Sequence, residues 1–227
     1  MYLRDPQRTE LGQRILAQSI LLIDQLGLED FNFKRLAIAL HTAEASIYRY
    51  FENKHRLLVY LVSWYWNWLE ECLEVELHNL TDPEERLRRA IRVLVTGGRD
   101  FTRHAPPHPE ALYRLVIAEA SKAYLTKAVD AENREGLFRD YKRLVGHVAQ
   151  LIQNYAPGYP YPHTLVSLVI ETGRKQQFFA HHLPLLTDFT PSDNLAQELA
   201  GYLEGLVLGA VHTPTTPTPL MATHNGK

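Results

Sequence analysis

The stretch Asn32-Phe-Lys-Arg-Leu-Ala-Ile-Ala-Leu-His-Thr-Ala-Glu-Ala-Ser-Ile-Tyr-Arg-Tyr-Phe-Glu-Asn-Lys54 contains two short helical patterns separated by a few turn residues. The apolar residues of each pattern recur at helical spacing: Leu36, Ala37 and Leu40 in the first, and Ile47, Tyr48 and Phe51 in the second. His41 and Thr42 lie between them and leave room for a tight turn only. The stretch therefore predicts a helix-turn-helix unit.

Two helices this short cannot bury their apolar faces alone, so the unit needs a third helix. The preceding residues predict one, because Leu11, Ile15, Leu22 and Leu26 share a helical face. Asp5-Pro6 is typical of a helix start, and Gly27 of a helix end. A helix-turn-helix packed on a third helix is typical of proteins that read DNA.

The residues Ile47-Tyr-Arg-Tyr-Phe-Glu-Asn-Lys54, preceded by Leu36-Ala37, resemble the N-terminal domain of the TetR family of bacterial transcriptional regulators. The resemblance covers roughly residues 8 to 60. It implies an all-α fold: an N-terminal three-helix DNA-binding domain with a helix-turn-helix, joined by a long helix to a larger helical ligand-binding and dimerisation domain. We expect the domains to span residues 1–53 and 54–212, followed by a disordered tail at 213–227 that is rich in Thr and Pro.

A short recognition helix presents its N-terminal end and its outer face to the major groove. In this sequence those positions hold Thr42, Ala43, Glu44, Ser46, Arg49 and Tyr50. The resemblance further implies phosphate contacts from the hydroxyl groups of Tyr48 or Tyr50, and from Lys34 and Lys54. Phosphate contacts position a protein on DNA without reading its bases.

Three residues depart from the family pattern. His41 stands where the family usually has glycine, which indicates either a turn without a strict positive-φ requirement or some strain. Ala43 stands where a capping serine is frequent, so we expect Thr42 to cap the recognition helix. Glu44 brings a negative charge towards DNA, where it either accepts a hydrogen bond from a cytosine amino group or lowers general affinity.

The composition limits the classes of protein and of binding site that the chain can represent. The net charge is −2, and the first 60 residues hold eight Lys or Arg against seven Asp or Glu, so the predicted DNA-binding domain is not strongly basic. The single Cys72 excludes an internal disulfide and a cysteine-based zinc site. No catalytic or phosphate-binding motif is found in the sequence. We expect no enzyme, no metal and no cofactor, and, without a long apolar run, a cytoplasmic protein with no membrane partner.

The larger domain is predicted to be helical throughout. The expected helices run from Lys54 to about Leu80, from about Thr81 to Gly97, from about Pro109 to Val129, from Asp130 to Tyr155, from about His163 to Leu183, and from about Ser192 to His212. Aromatic residues in these helices favour an apolar or aromatic effector. The candidate pocket residues are Trp64, Trp68, Phe101, Tyr113, Glu119 and Tyr141. Glu119 lies on an apolar stripe, so it either pairs with a nearby Arg or Lys, reaches solvent, or faces a ligand.

The last helix carries Gly201, Gly205 and Gly209 at intervals of four residues, beside Tyr202 and Leu206. Glycine weakens a helix, and small residues in a line let a second helix approach closely. The sequence leaves open whether that helix belongs to the same chain or to a second copy; the family resemblance implies a homodimer.

The resemblance implies a regulator, expected to be a repressor, that binds a double-stranded DNA operator and releases it when a small molecule binds. The alternative is a helical dimeric sensor or interaction protein without sequence-specific DNA binding, which the nearly neutral head and Glu44 favour.

Overall fold

The computed structural model describes residues 1–98, 101 and 104–213, and within these residues the regular structure is helical and no strand occurs. The all-α prediction is therefore confirmed. The α-helices of the described residues are α1 (Glu10–Asp30), α2 (Phe33–Leu40), α3 (Glu44–Tyr48), α4 (Lys54–Leu77), α5 (Pro83–Thr96), α6 (Pro109–Glu119), α7 (Ser121–Tyr124), α8 (Val129–Arg134), α9 (Arg139–Tyr155), α10 (Pro162–His182) and α11 (Leu195–His212). Short 3₁₀ turns occupy Pro6–Arg8 and Pro184–Leu186.

Helices α1, α2 and α3 form the head. Their apolar faces meet in a core that contains Ile15, Ile20, Phe31, Leu36, Ile47 and Phe51, each of them fully buried. Polar side chains cap the helix starts: Asn32 Oδ1 accepts from Arg35 N at 2.9 Å, and Asn53 Oδ1 accepts from Arg56 N at 2.9 Å. These caps set the chain directions into α2 and α4.

The first helix begins and bends differently from the prediction. Asp5 caps only the short 3₁₀ turn, and Thr9 caps α1, with its Oγ1 accepting from Gly12 N at 3.1 Å. Gly27 does not end the helix. It takes φ 74° and ψ 162° inside the span of α1, a conformation open to glycine, and the chain turns helically again as far as Asp30.

The larger domain is built around α4. Helices α5 and α9 pack on it, α10 packs on α9 and α5, and α11 packs on α5. The buried carboxylate of Glu204 on α11 accepts from Arg92 on α5 at 2.9 Å, which holds these two helices together.

Two predicted helices are broken in the structure. The stripe expected over 109–129 is buried as predicted, but α6 ends at Glu119, and the chain leaves helical geometry at Leu125, with φ −85° and ψ 60°. The segment from Asp130 is likewise divided, because Gly136 takes φ 79° between α8 and α9. Apolar periodicity identifies the buried face of a segment. It does not reveal where one helix ends and the next begins when both helices pack on the same core.

Among the described residues, no helix combines the length and the apolar character needed to cross a bilayer. The tail expected at 213–227 lies outside the described residues except for Thr213, which follows the end of α11.

Candidate DNA-reading head, effector cavity and helix-packing face

The turn between α2 and α3 depends on a left-handed residue. His41 takes φ 52° and ψ 47°, and its backbone N–H points to the carbonyl oxygens of Ala37 and Ile38. Thr42 N also donates to Ala37 O, at 3.0 Å. Of the two alternatives for His41, the turn without a positive-φ requirement is wrong: histidine here occupies the conformation that glycine adopts at lower cost.

Helix α3, the predicted recognition helix, starts without a side-chain cap. Its N-cap residue is Ala43, and no side-chain hydrogen bond caps the helix, so the expectation that Thr42 does so is wrong. Glu44 in the first turn is placed where a negative charge interacts favourably with the helix dipole. The helix is held instead by Ile47, which is completely buried in the head core.

The nine predicted DNA-contacting residues fall into three groups by exposure. Lys34, Ala43, Tyr48 and Arg49 are exposed; Thr42, Glu44, Ser46 and Lys54 are half-buried; Tyr50 is buried. Most of these side chains lie around α3 and the preceding turn. Ile38 on α2, which is not among the predicted residues, is 67% exposed and lines an open hollow together with Lys34, His41 and Glu44. The sequence pattern indicates this exposure, since Ile38 lies outside the apolar stripe that α2 buries.

Two of the predicted phosphate contacts have other partners in the structure. The Tyr50 hydroxyl lies 2.7 Å from Thr9 Oγ1, and the Arg4 guanidinium lies over its ring at 5.6 Å. The Lys54 ammonium donates to the carbonyl oxygens of Leu28, Glu29 and Phe31 at 2.8, 2.9 and 3.2 Å. Lys54 therefore joins the start of α4 to the end of α1.

The six candidate pocket residues are not brought together. Tyr113 and Glu119 line a cavity of about 660 Å³ between α1, α6 and α10. Trp64 lines a different hollow of about 330 Å³ beside the N-terminal residues. Trp68 is buried in the core, and Tyr141 stacks on Trp66 with ring centroids 4.7 Å apart. Phe101 packs against the core from a half-buried position.

Glu119 pairs with its surroundings and also faces the cavity. Its Oε1 accepts from Leu28 N at 3.1 Å, and its Oε2 lies 2.8 Å from Lys122 Nζ. The residue is only 7% exposed. Of the three alternatives for Glu119, solvent exposure is thus excluded, and the carboxylate connects the larger domain to the head.

The glycine line of α11 is open. An added Cβ at Gly201, Gly205 or Gly209 would meet no described atom within 4 Å, so in the described part of the chain no helix covers this line. Beside it Tyr202 and Leu206 are 54% and 43% exposed, and Leu168 of the neighbouring α10 is 54% exposed. The result is an uncovered apolar face across α10 and α11.

No family model matches the chain, and no curated protein matches it in sequence. Solved structures share its fold. The fatty acid degradation regulator FadR from Bacillus halodurans superposes with a TM-score of 0.62 at 15% identity, over 88% of this chain and 96% of that chain. The TetR-family transcriptional regulator PfmR from Thermus thermophilus gives a TM-score of 0.60 at 18% identity, over 88% and 100% of the two chains.

A third structure contains both operator DNA and a small molecule. AibR, solved in complex with isovaleryl coenzyme A and operator DNA, superposes with a TM-score of 0.56 at 18% identity, over 86% of this chain and 97% of that chain. At such identities the likeness is one of fold, and it extends over most of the chain.

Proposed function

We propose that this chain, whose fold is that of the TetR-family transcriptional regulators, is a ligand-responsive DNA-binding regulator. In the proposed mechanism it represses as a homodimer and releases its operator when a small molecule binds. The observation that carries the proposal is the head itself. A short helix, α3, is anchored by one buried residue, Ile47, while Tyr48 and Arg49 beside it are exposed together with Lys34 of α2.

The exposed side chains have the chemistry that a DNA surface requires. Arg49 and Lys34 supply positive charge for phosphates, and the Tyr48 hydroxyl is a neutral donor for the same oxygens. Ser46, half-buried on α3, and Thr42 and Ala43 before it lie towards the end of the helix that enters a major groove in helix-turn-helix proteins. Glu44 matches the amino group of cytosine.

The uncovered face of α10 and α11 supports a homodimer. Apolar faces of this kind on a soluble chain are typical of interaction sites, and a face centred on a glycine line allows close approach of the same face from a second copy. A two-fold dimer would present two heads, and we expect it to read a near-palindromic operator. Its half-sites would be separated by about one turn of DNA or by multiples of it.

Release by a ligand requires a connection between the larger domain and the head. Glu119 and Lys54 supply contacts of that kind, because both bond to the end of α1 from outside it. The AibR complex with isovaleryl coenzyme A and operator DNA shows that this fold accommodates both partners in another protein. A ligand that favours one head orientation would shift the population of the dimer away from the operator-binding state.

Selection of bound sequences from a random DNA pool tests the proposal, followed by a salt titration on the selected DNA. We expect a palindromic sequence and a steep fall of affinity with salt. Arg49→Ala should weaken operator binding by roughly tenfold, which is within the range for removal of one side chain that touches DNA. Lys127→Ala, which removes one exposed positive charge from the larger domain, is the matched control and should leave affinity unchanged.

A nearly neutral head and the charge of Glu44 favour a second candidate, a dimeric sensor or interaction protein that does not read DNA. No enriched sequence and no binding at low salt would support this candidate and contradict the regulator.

A further inference from the structure

At the kink at Gly27, a backbone N–H group of α1 donates its hydrogen bond to a side chain of the larger domain. Leu28 N, which follows the non-helical Gly27, donates to Glu119 Oε1 across 91 residues of sequence. A buried N–H without an acceptor is costly, so the carboxylate stabilises the kinked form of α1.

Two ion pairs lie on either side of this bond. Arg114 on α6 donates to both carboxylate oxygens of Asp24 at 3.0 and 2.7 Å, and Lys122 on α7 lies 3.1 Å from a carboxylate oxygen of Glu29. The head is thus attached to α6 and α7 through three polar links within two turns of α1. We call this set of links the kink joint.

The cavity of about 660 Å³ lies against the kink joint. It is lined by Asp24 and Gly27 of α1, by Arg114 and Glu119 of α6, and by Phe178 of α10. Its volume is within the range of small-molecule sites. A molecule in this cavity, which we call the kink groove, would touch the residues that attach the head to the larger domain.

The charges of the kink groove favour a cation. Three carboxylates line it, those of Asp24, Glu110 and Glu119, together with the Arg114 guanidinium and the imidazoles of His181 and His182. The Lys122 ammonium pairs with Glu119. Asp24 is satisfied by Arg114, but Glu110 is exposed and has no ion-pair partner among the described residues. The carboxylate of Glu110 is therefore the charge in the groove that attracts a ligand of the opposite sign.

Glu119 adds a buried acceptor to this charge. Its Oε2 is buried and forms an ion pair with the Lys122 ammonium at 2.8 Å. A carboxylate oxygen can accept two hydrogen bonds, so Oε2 can take a second donor, from a ligand in the groove, beside Lys122.

The apolar wall of the kink groove selects the rest of the ligand. Ile23 and Ile117 line it, and the Phe178 ring is 37% exposed. The centroid of the Phe178 ring lies 4.5 Å from that of the His182 ring, and the exposed part of the Phe178 ring can contact organic cations as well as apolar groups.

We propose that the kink groove binds an organic cation with an apolar or aromatic body, and that its ammonium group, drawn to Glu110 and Glu119, loosens the kink joint. A ligand ammonium competes with Lys122 and with Leu28 N–H for the Glu119 carboxylate. Binding then favours a head orientation in which Leu28 N is no longer held by α6. The binding step is independent of DNA, whereas its effect on the operator rests on the proposed function.

A pair of probes with one ring system and opposite charge tests the binding step. The full-length protein is titrated calorimetrically with 1-naphthylmethylamine, which is cationic at neutral pH, and with 1-naphthylacetate. We expect the amine to bind at least roughly tenfold more tightly, the scale of one added charge contact. Glu110→Gln should weaken amine binding several-fold, whereas Glu74→Gln, at an exposed carboxylate of α4, should not. Absence of amine binding, or equal binding of both probes, overturns the proposed site.

Two substitutions at one position test the coupling step. Glu119→Gln keeps an oxygen acceptor for Leu28 N, while Glu119→Ala removes it. We expect Glu119→Ala to lower affinity for the selected operator by about tenfold, within the usual range of coupling between sites, and Glu119→Gln to restore most of it. A merely structural role predicts lower thermal stability of Glu119→Ala with unchanged operator affinity of the folded dimer, and that result overturns the coupling. If the wild-type protein selects no DNA, the proposed function fails, and the probe titration still decides the site.

Discussion

Substitution of Lys54 tests whether its ammonium group contacts a DNA phosphate or stabilises the head. Its ammonium donates to three carbonyl oxygens at the end of α1, at 2.8, 2.9 and 3.2 Å. Hydrogen bonds to a charged group contribute about 1.5 to 3 kcal/mol when well sequestered. Since the Lys54 side chain is half-buried and water can replace part of these bonds, we expect Lys54→Met to lower the free energy of unfolding by about 2 kcal/mol in total.

For a chain of 227 residues this change corresponds to a fall in the melting temperature of roughly 4 to 8 °C. Urea unfolding followed by circular dichroism measures the free energy directly. The matched control is Lys34→Met, which removes the same charge from an exposed side chain of α2 and should change the free energy of unfolding by less than about 0.5 kcal/mol.

A salt titration on the selected operator completes the comparison. Removing one phosphate contact reduces the slope of log affinity against log salt by about 0.9. We expect Lys34→Met to reduce this slope and Lys54→Met to leave it unchanged. The reverse pattern, with an unaffected stability and a shallower slope for Lys54→Met, would refute the structural role and return Lys54 to the DNA surface.

Three further predictions concern stability and assembly. Gly12→Ala should destabilise the head by about 2 kcal/mol or more, because the added Cβ would lie 2.2 Å from Pro6 O. Gly146→Ala should stabilise α9 by about 0.5 to 1 kcal/mol, because an added Cβ meets open space there. Chemical unfolding of the two variants measures both changes. Gly205→Leu should convert the proposed dimer into a folded monomer in sedimentation experiments, and a variant that sediments as the same dimer would place the interface elsewhere. Burial raises the pKa of Tyr60 from its ordinary value near 10 to about 12, so the folded state holds this proton more tightly and loses stability as the pH rises from 10 to 12. Tyr60→Phe should remove about 2 kcal/mol of that alkaline loss in urea unfolding at several pH values, and an identical pH profile would contradict the assignment.

The head shows how far local patterns reach. Helices α2 and α3 lie where apolar spacing and the Asn32 cap place them, because both signals act over three or four residues. The same patterns failed at Thr42, which does not cap α3, and at Gly27, which bends α1 without ending it. At both positions the residue type permits two local geometries, and contacts with the rest of the fold select one.

The candidate pocket shows what local sequence patterns cannot predict. Composition indicated aromatic residues and singled out Glu119 as an unusual carboxylate, but it could not assign them to one cavity. Trp64 and Trp68 of α4 face different neighbours because this helix is surrounded on several sides, and Tyr141 of α9 stacks on a third α4 residue, Trp66. A helix that is apolar on several sides carries no periodic signal that marks a pocket.

The sequence by itself determined the all-α class, the helix-turn-helix of Asn32–Lys54 and the glycine line of the last helix, since each depends on residues a few positions apart. Only the tertiary structure decided that Lys54 supports the end of α1 and that Glu119 accepts from Leu28 N. Those partners are separated by 26 and 91 residues along the chain, and no spacing rule connects them. They meet because packing of the helices brings a kinked α1 beside α4 and α6, and the kink leaves backbone groups that only side chains from outside α1 can satisfy.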